Sequence, residues 1–221
     1  MSIKNRIAKR AARELKDGMV VNLGFGIPTL AANHIDKEIN VILQSENGVL
    51  NFGTNVKKNE DNPFFCGASG GPITALPGCS IVNLDTAFLI LRGGHVDITI
   101  LGALEVDSEG SIANWAVPYG DDKYVPGMGG AMDILVGTKK VVVAMIHKAK
   151  DGSPKIKKEC SLPISAVRAV DLIITDEAVI KVTDEGLLLE EIAQGITIDE
   201  VIKDTEPELI ISENLKVSDI L

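Results

Sequence analysis

The fold class follows from one short segment, Met19-Val20-Val21-Asn22-Leu23-Gly24-Phe25-Gly26-Ile27-Pro28. Residues 19–23 are mostly apolar and β-prone, which predicts a short buried strand. The two glycines that follow, Gly24 and Gly26, permit a tight turn, and Pro28 suits the first turn of a helix. The segment therefore predicts a strand, a glycine turn and a helix in direct succession.

The same succession recurs along the chain. The further predicted strands are 40–43, 80–84, 96–101, 140–146 and 170–175, and a glycine turn at 126–130 opens a predicted helix at 131–135. Repeated strand, glycine turn and helix predict an α/β fold with an open, mostly parallel sheet and helices on both faces. Ligands of such sheets bind beyond the carboxyl ends of the strands, which places Gly24, Glu46 and Gly129 on one edge.

The ends of the chain and one interior segment follow other patterns. Ser2 is a plausible N-cap for an amphipathic opening helix. The C-terminal part predicts a strand at 179–182, a helix at 188–193 and a second helix begun by Thr197 or Asp199. Residues 51–78 are rich in Gly, Pro and Asn, which predicts a long excursion with little regular structure. The 221 residues suit a single domain spanning 1–221.

Charge and hydropathy exclude two classes of partner. The formal net charge of −9 repels polyanions, and no basic stripe interleaved with aromatic residues reverses this locally. We therefore expect no nucleic-acid partner. No stretch approaches the roughly 18 uncharged apolar residues that span a bilayer, and the first residues lack the apolar core of a signal peptide. We expect a cytoplasmic protein with no membrane partner.

Cysteine and histidine spacing gives no sign of a metal. Cys66, Cys79 and Cys160 are odd in number, far apart and in no CxxC arrangement, so neither a disulfide framework nor a zinc site is indicated. His34 and His147 belong to no metal-binding spacing. We predict no metal and no permanently bound cofactor.

Glu46 is the first candidate for chemistry. It is a lone carboxylate between a predicted strand and an Asn-Gly turn, where an α/β sheet presents its ligand groups. Position alone also fits an ordinary surface glutamate in a turn, which is the commoner case.

A family resemblance favours a catalytic role for Glu46. The segment Leu43-Gln44-Ser45-Glu46-Asn47-Gly48-Val49-Leu50 resembles the Ser-Glu-Asn-Gly signature of family I coenzyme A (CoA) transferases, in which the glutamate is the nucleophile. Further segments resemble, in the same order, the β subunit of 3-oxoacid CoA transferases: Asn22-Leu23-Gly24-Phe25-Gly26-Ile27-Pro28, Arg92-Gly93-Gly94-His95-Val96-Asp97, Leu101-Gly102-Ala103, Ala113-Asn114-Trp115 and Gly127-Met128-Gly129-Gly130-Ala131-Met132-Asp133. The similarity spans about 3–195, and Asn51 departs from the small residue usual there. It implies the CoA-transferase, or NagB-RpiA-like, fold.

The resemblance also implies an activity. CoA would move between short-chain carboxylic acids such as acetoacetate, butyrate, acetate or succinate, by ping-pong catalysis through a glutamyl-CoA thioester at Glu46. A carboxylate is already ionised at neutral pH, so this nucleophile needs no general base. CoA and acyl-CoA would be substrates, not bound cofactors.

The remaining site residues are expected to assist Glu46. The resemblance places backbone amides of Gly129 and Gly130 against the oxyanion of each tetrahedral intermediate. Asn47 would orient the glutamate or line the substrate pocket, although Asn-Gly is also a common device for a tight turn. Gly24 and Gly26 are further candidate pocket residues, although a Gly-x-Gly after a strand is common and this one lacks the third glycine of a dinucleotide-binding fingerprint.

The resemblance implies an α-subunit partner that supplies much of the acyl-CoA pocket, in an α2β2 assembly. Two rival classes stay open. One is an acyl-CoA hydrolase that uses the same glutamate, and the other is a non-catalytic or sugar-phosphate-isomerase-like protein of the same fold. A second triplet, Ser212-Glu213-Asn214, lacks the following glycine and the upstream Leu-Gln, so we attribute it to chance.

Overall fold

A computed structural model describes residues 1–54, 56, 62, 64–68, 70–118 and 124–221. The helices are α1 (Ile3–Ala12), α2 (Ile27–Ala31), α3 (Leu84–Arg92), α4 (Ala131–Gly137) and α5 (Ile198–Lys203), with a 3-10 helix at Ala32–His34. The strands are β1 (Val20–Leu23), β2 (Ile42–Ser45), β3 (Val49–Gly53), β4 (Thr74–Ile81), β5 (Ile98–Leu101), β6 (Glu105–Asp107), β7 (Ile112–Ala113), β8 (Ala116–Pro118), β9 (Tyr124–Pro126), β10 (Val141–Ala144), β11 (Ile156–Lys157), β12 (Leu172–Ile174), β13 (Ala178–Thr183), β14 (Gly186–Ala193) and β15 (Leu209–Ser218).

The main sheet fixes where a ligand can bind. Within the described ranges it has ten strands in the order β15-β14-β13-β12-β10-β5-β1-β2-β3-β4. The central strands β12, β10, β5, β1 and β2 are all parallel, and β13, β14, β3 and β4 pair antiparallel at the two sides. The chain passes from β1 to β2 on one side and later returns to β5 on the other. The carboxyl ends of β1 and β5 therefore form the switch point at which α/β sheets bind ligands.

Alternating side chains cover the two faces of this sheet. Ile98 and Ile100 of β5 pack in the cluster that contains α1 and α2, whereas Val141 and Val143 of β10 pack in the cluster that contains α3 and α4. All four side chains are buried. The predicted α/β fold, with a mostly parallel central sheet and helices on both faces, is confirmed. A single domain over 1–221 stays a prediction. None of the helices in the described ranges is both long and apolar enough to cross a membrane.

The predicted helix at 188–193 was wrong. This segment forms all but the first two residues of β14, which pairs antiparallel with β13 after a turn at Gly186, where φ is 131°. Leu187 and Leu189 are buried, whereas Leu188 between them is only partly buried, which is strand alternation. Leu and Glu are good helix formers, and pairing on both sides of β14 overrides that preference. The next helix, α5, follows Thr197 as predicted and closes a capping box with Glu200.

The predicted excursion at 51–78 was partly wrong. Antiparallel strands β3 and β4 enter it from both ends, and part of the segment between them lies outside the described residues. The predicted strand at 80–84 begins earlier, at Thr74, and Leu84 belongs to α3. Asn51 sits at a register shift between β3 and β4 with φ 56°, and its Nδ2 donates to the Pro77 carbonyl at 2.8 Å. Asn tolerates this left-handed conformation, so the departure from a small residue is accommodated as a bulge.

His147 has a structural place. Its ring is fully buried, with Nδ1 2.9 Å from Thr175 Oγ1 and Nε2 3.0 Å from Thr205 Oγ1. Burial lowers the pKa of His147 to about 4 from its usual 6.5. As pH falls from 6.5 towards 4, the unfolded chain binds a proton that the folded chain does not, so folding is progressively disfavoured.

We therefore expect His147 to make the protein acid-sensitive. Between pH 7 and pH 4 the wild type should lose about 3 kcal/mol more unfolding free energy than His147→Gln. Denaturant unfolding of both proteins at several pH values measures this difference. Groups remote from His147 that titrate in this range are present in both proteins and cancel in the comparison. Parallel pH profiles would contradict the assignment.

Candidate active site

Glu46 occupies the first position of a tight hairpin loop. Ser45 at the end of β2 pairs with Val49 at the start of β3, which leaves residues 46–48 as the loop. The Gly48 amide donates to the Ser45 carbonyl at 2.9 Å, and Gly48 has φ 107°. A Cβ at Gly48 would lie 2.2 Å from the Val82 carbonyl oxygen, so only glycine fits. The Asn-Gly turn predicted from sequence thus uses its glycine for the positive φ.

The residues on either side of Glu46 anchor a neighbouring segment. Ser45 Oγ accepts a hydrogen bond from the Ala68 amide at 2.9 Å, and Asn47 Nδ2 donates to the Cys66 carbonyl at 2.9 Å. The segment 66–68 is therefore held on both sides of the glutamate. Asn47 is exposed and does not line the cavity described below, so in this structure it holds the loop in place.

Glu46 lines a cavity with a volume of about 790 Å³. That size lies in the range of ligand pockets, about 300–1,000 Å³. The described residues that line it are Asn22, Leu23, Gly24, Phe25, Thr29, Leu30, Asn33, Gln44, Ser45, Glu46, Phe52, Thr54, Gly67, Ala68, Gly71, Pro72, Ile73, Leu101, Gly102, Ala103, Leu104, Asn114, Gly127, Met128, Gly129, Gly130, Ala131 and Ile134. Among these residues, Glu46 is the only ionisable side chain.

Gly130, a predicted oxyanion-binding residue, lies beside Glu46. A Cβ at Gly130 would lie 3.4 Å from Glu46 Cγ and 3.1 Å from Phe88 Cζ, so the glutamate and this backbone are in close contact. Gly129 has φ 52° and lines the same cavity. The amide N–H groups of both glycines have no protein acceptor in the described structure. The structure thus brings Glu46, Gly129 and Gly130 together, whereas their roles in catalysis stay predictions.

The other two predicted pocket glycines differ in position. Gly24 lines the cavity. Its amide donates to the Ile100 carbonyl at 2.9 Å, which holds the ends of β1 and β5 together. Because the two strand ends are so close, a Cβ at Gly24 would lie 2.8 Å from Leu101 Cδ2. Gly26 has φ 89°, is exposed and precedes α2. It lies outside the residues that line the cavity, so a substrate contact at Gly26 stays a prediction.

A buried polar chain beneath the glutamate was missed from sequence. Thr99 Oγ1 donates to Asn22 Oδ1 at 3.1 Å, and Asn22 Nδ2 donates to Gln44 Oε1 at 2.9 Å. These three side chains are at most 1 % exposed and join β5, β1 and β2 near their carboxyl ends. The available signal was a polar residue within each of three short, mainly apolar strands: Asn22 in β1, Gln44 in β2 and Thr99 in β5. Buried polar groups of this kind require partners, so their occurrence in neighbouring strands indicates a network.

Two further groups border the cavity. Asn114 lines it, and its Oδ1 accepts from Ser165 Oγ at 2.6 Å. Lys155 lies behind the cavity wall, where its Nζ donates to the Ala103 carbonyl at 2.7 Å and burial lowers the pKa of the lysine to about 8.

No group of three or more His, Cys, Asp or Glu side chains in the described ranges is arranged to hold a metal ion.

Together, the parallel sheet, its switch point and a cavity with one carboxylate define an α/β protein with a ligand site at the strand ends. The chain belongs to the coenzyme A transferase family, because the family model described as "Coenzyme A transferase" matches residues 4–204.

Individual relatives agree with this assignment. The chain is 47% identical over 206 residues to a probable coenzyme A transferase β subunit of Bacillus subtilis, covering 93% of this chain and 94% of the relative. It is 44% identical over 215 residues to an acetate CoA-transferase β subunit of Escherichia coli, covering 97% of each. The fold is similar, with a TM-score of 0.77 and 24% identity, to the acyl-CoA transferase apoenzyme of Escherichia coli O157:H7. This match covers 99% of our chain and 43% of that longer one.

The contact between Gly130 and Glu46 gives a prediction. With a φ of −87°, Gly130→Ala should not strain the backbone, but its Cβ would lie tightly against Phe88 Cζ at 3.1 Å and would fill the space beside Glu46 Cγ at 3.4 Å. Because a displacement of about 1 Å at a reacting group can cost about 100-fold, we expect kcat for CoA transfer to fall by roughly 10- to 100-fold. The melting temperature should change little.

A second variant tests the cause. Phe88→Leu removes the atom nearest to the added methyl group, so the Gly130→Ala/Phe88→Leu double variant should recover part of the lost rate. Unchanged kcat in Gly130→Ala would show that the contact does not constrain the glutamate.

Proposed function

We propose that this chain is the β subunit of a two-subunit CoA transferase and that Glu46 carries CoA covalently during turnover. The observation that carries the proposal is the isolation of Glu46 as the only ionisable side chain among the described residues of the cavity wall. Membership of the CoA transferase family supports it, as do relatives that are named β subunits and that match this chain over nearly their whole length.

The proposed reaction exchanges bonds without oxidation or reduction. The Glu46 carboxylate attacks the thioester carbonyl of a donor acyl-CoA, the C–S bond breaks, and an acyl-glutamyl anhydride and CoA thiolate result. The thiolate is an acceptable leaving group because a thiol has a pKa near ~8.5. It then attacks the glutamyl carbonyl, which releases the donor acid as its carboxylate and leaves a glutamyl-CoA thioester. The acceptor acid reverses both steps and leaves as acyl-CoA.

Backbone amides are suited to the charge that develops in each step. We assign to the N–H groups of Gly129 and Gly130 the stabilisation of the tetrahedral oxyanions, since Gly130 adjoins Glu46, Gly129 lines the same cavity, and neither N–H has an acceptor among the described residues. Loss of one such donor typically costs about 2.7–4 kcal/mol. Neutral amides have a further advantage here, because a cation at the same place would pair with the glutamate and weaken it as a nucleophile.

The absence of cations in the described cavity wall bears on the partner. CoA carries several phosphate charges, yet no Lys, Arg or His is among the described residues that line the cavity, and the whole chain carries a net charge of −9. An α subunit that closes the cavity mouth would supply the missing positive charge. Phe25, which is 81% exposed and lines the cavity, belongs to the surface that such a subunit would cover. We propose an α2β2 assembly that acts on short-chain acids such as acetoacetate, butyrate, acetate or succinate.

The chain offers a matched pair of variants to test the nucleophile. Glu46 and Glu213 each lie in a Ser-Glu-Asn triplet, but Glu213 is an exposed residue of β15 at the far edge of the sheet. In the enzyme assembled with its α subunit, Glu46→Gln should lower kcat by more than about 1,000-fold, because an amide is not nucleophilic. Glu46→Asp should lose roughly 100-fold through misplacement of the carboxylate. Glu213→Gln should keep the wild-type rate.

Steady-state kinetics with acetoacetate or butyrate as the acceptor measures these rates, and borohydride reduction followed by peptide mass spectrometry locates the thioester. Normal velocity in a correctly assembled Glu46→Gln enzyme would refute the proposal. Rapid release of free thiol from acyl-CoA without any carboxylate acceptor would instead indicate a hydrolase.

A further inference from the structure

Gln44 ends in a buried donor that the protein does not use. The side chain is 1 % exposed and lines the cavity, and its Nε2 atom is buried without a hydrogen-bond partner among the described residues. Buried donors are rarely left unpaired in native proteins, and an exception at a ligand site requires an explanation. A ligand oxygen in the cavity would provide one.

The orientation of this amide is fixed by its neighbours. Asn22 Nδ2 lies 2.9 Å from Gln44 Oε1 and 3.3 Å from the Gln44 backbone carbonyl. Since both contacts are with oxygen, the Asn22 group must be the donating nitrogen, and its own Oδ1 accepts from Thr99 Oγ1. Gln44 Oε1 is therefore held against Asn22, and Nε2 is the atom left for a ligand.

The position of Gln44 relative to Glu46 selects the part of a ligand that it can reach. The two residues are two apart and both line the cavity. Two residues of strand span about 6.6 Å, whereas a hydrogen bond spans about 2.9 Å. Glu46 lies one residue beyond the end of β2, so the Gln44 amide borders the cavity about one such step from the glutamate and suits an oxygen further along the acyl chain.

The charge of the cavity wall indicates which kind of ligand oxygen Gln44 would bind. No cation is among the described lining residues, so a second carboxylate, as in succinate, would need its opposite charge from the α subunit and not from the wall that contains Gln44. A neutral carbonyl oxygen needs only a neutral donor. We propose that Gln44 Nε2 donates a hydrogen bond to the 3-oxo oxygen of a 3-oxoacyl group, which makes Gln44 a specificity-determining residue. This proposal rests on the proposed function of Glu46.

The test compares two acids that differ at the oxo group. Acetoacetate and butyrate have the same number of carbons, and the ratio of their kcat/KM values as acceptors for CoA measures recognition of the oxygen. In the assembled enzyme the wild type should favour acetoacetate. Gln44→Met should lower the ratio about tenfold, because a site that binds a substrate oxygen loses discrimination when its donor is removed. Partial misfolding lowers both rates equally and leaves the ratio unchanged.

Two further variants complete the design. Gln44→Glu keeps an oxygen against Asn22 while it replaces the donor, so the ratio should also fall. Gln194→Met makes the same change as Gln44→Met at an exposed glutamine, and it should keep the wild-type ratio.

The outcomes separate this proposal from that for Glu46. A fall in the ratio of both Gln44 variants, with a glutamyl-CoA thioester still formed from butyryl-CoA, supports both proposals. An unchanged ratio, or an equal loss for both acids, overturns the role of Gln44 while the thioester remains. No thioester in the wild type itself overturns the function of Glu46 and, with it, the inference.

Discussion

The close packing of Gly48 against the Val82 carbonyl is the constraint on which the site depends. A Cβ at position 48 would lie 2.2 Å from that oxygen, so no residue other than glycine can occupy position 48. The turn ends β2 and reverses the chain within residues 46–48, so the glutamate is presented at the rim of the sheet by backbone and not by its own contacts. Ser45 and Asn47 then hold the 66–68 segment on both sides. This frame fixes the backbone from which the Glu46 side chain projects.

The electrostatic character of the cavity follows from what surrounds this frame. In the described wall, a single carboxylate faces amides, hydroxyls and apolar groups. In this setting no charged side chain of the described wall opposes the glutamate, and Gly129 and Gly130, whose N–H groups we propose as oxyanion donors, line the same cavity. The buried chain from Thr99 through Asn22 to Gln44 extends the same principle below the glutamate, because it orients a neutral donor without adding charge.

Much of this arrangement could be predicted from the sequence, for identifiable physical reasons. Strand, glycine turn and helix recur with strong periodicity, so the α/β sheet and the edge shared by Gly24, Glu46 and Gly129 follow from local patterns. The helix predicted over 188–193 failed because Leu and Glu favour helices locally, whereas two neighbouring strands decide the conformation of β14. Gln44 was overlooked because its importance lies in a contact with Asn22, a residue 22 positions away. Pairings across strands are not visible in a single sequence.

The central claim is that Glu46 is a covalent carrier, and oxygen exchange tests it most directly. An acceptor acid labelled with ¹⁸O in its carboxylate would pass one labelled oxygen into the acyl-glutamyl anhydride, and attack of CoA on the substrate acyl carbon would leave that oxygen on the glutamate. Peptide mass spectrometry after turnover should therefore find ¹⁸O in the peptide that contains Glu46 and in no other glutamate. Label confined to the acids and acyl-CoA, with unlabelled Glu46 after many turnovers, would contradict the account.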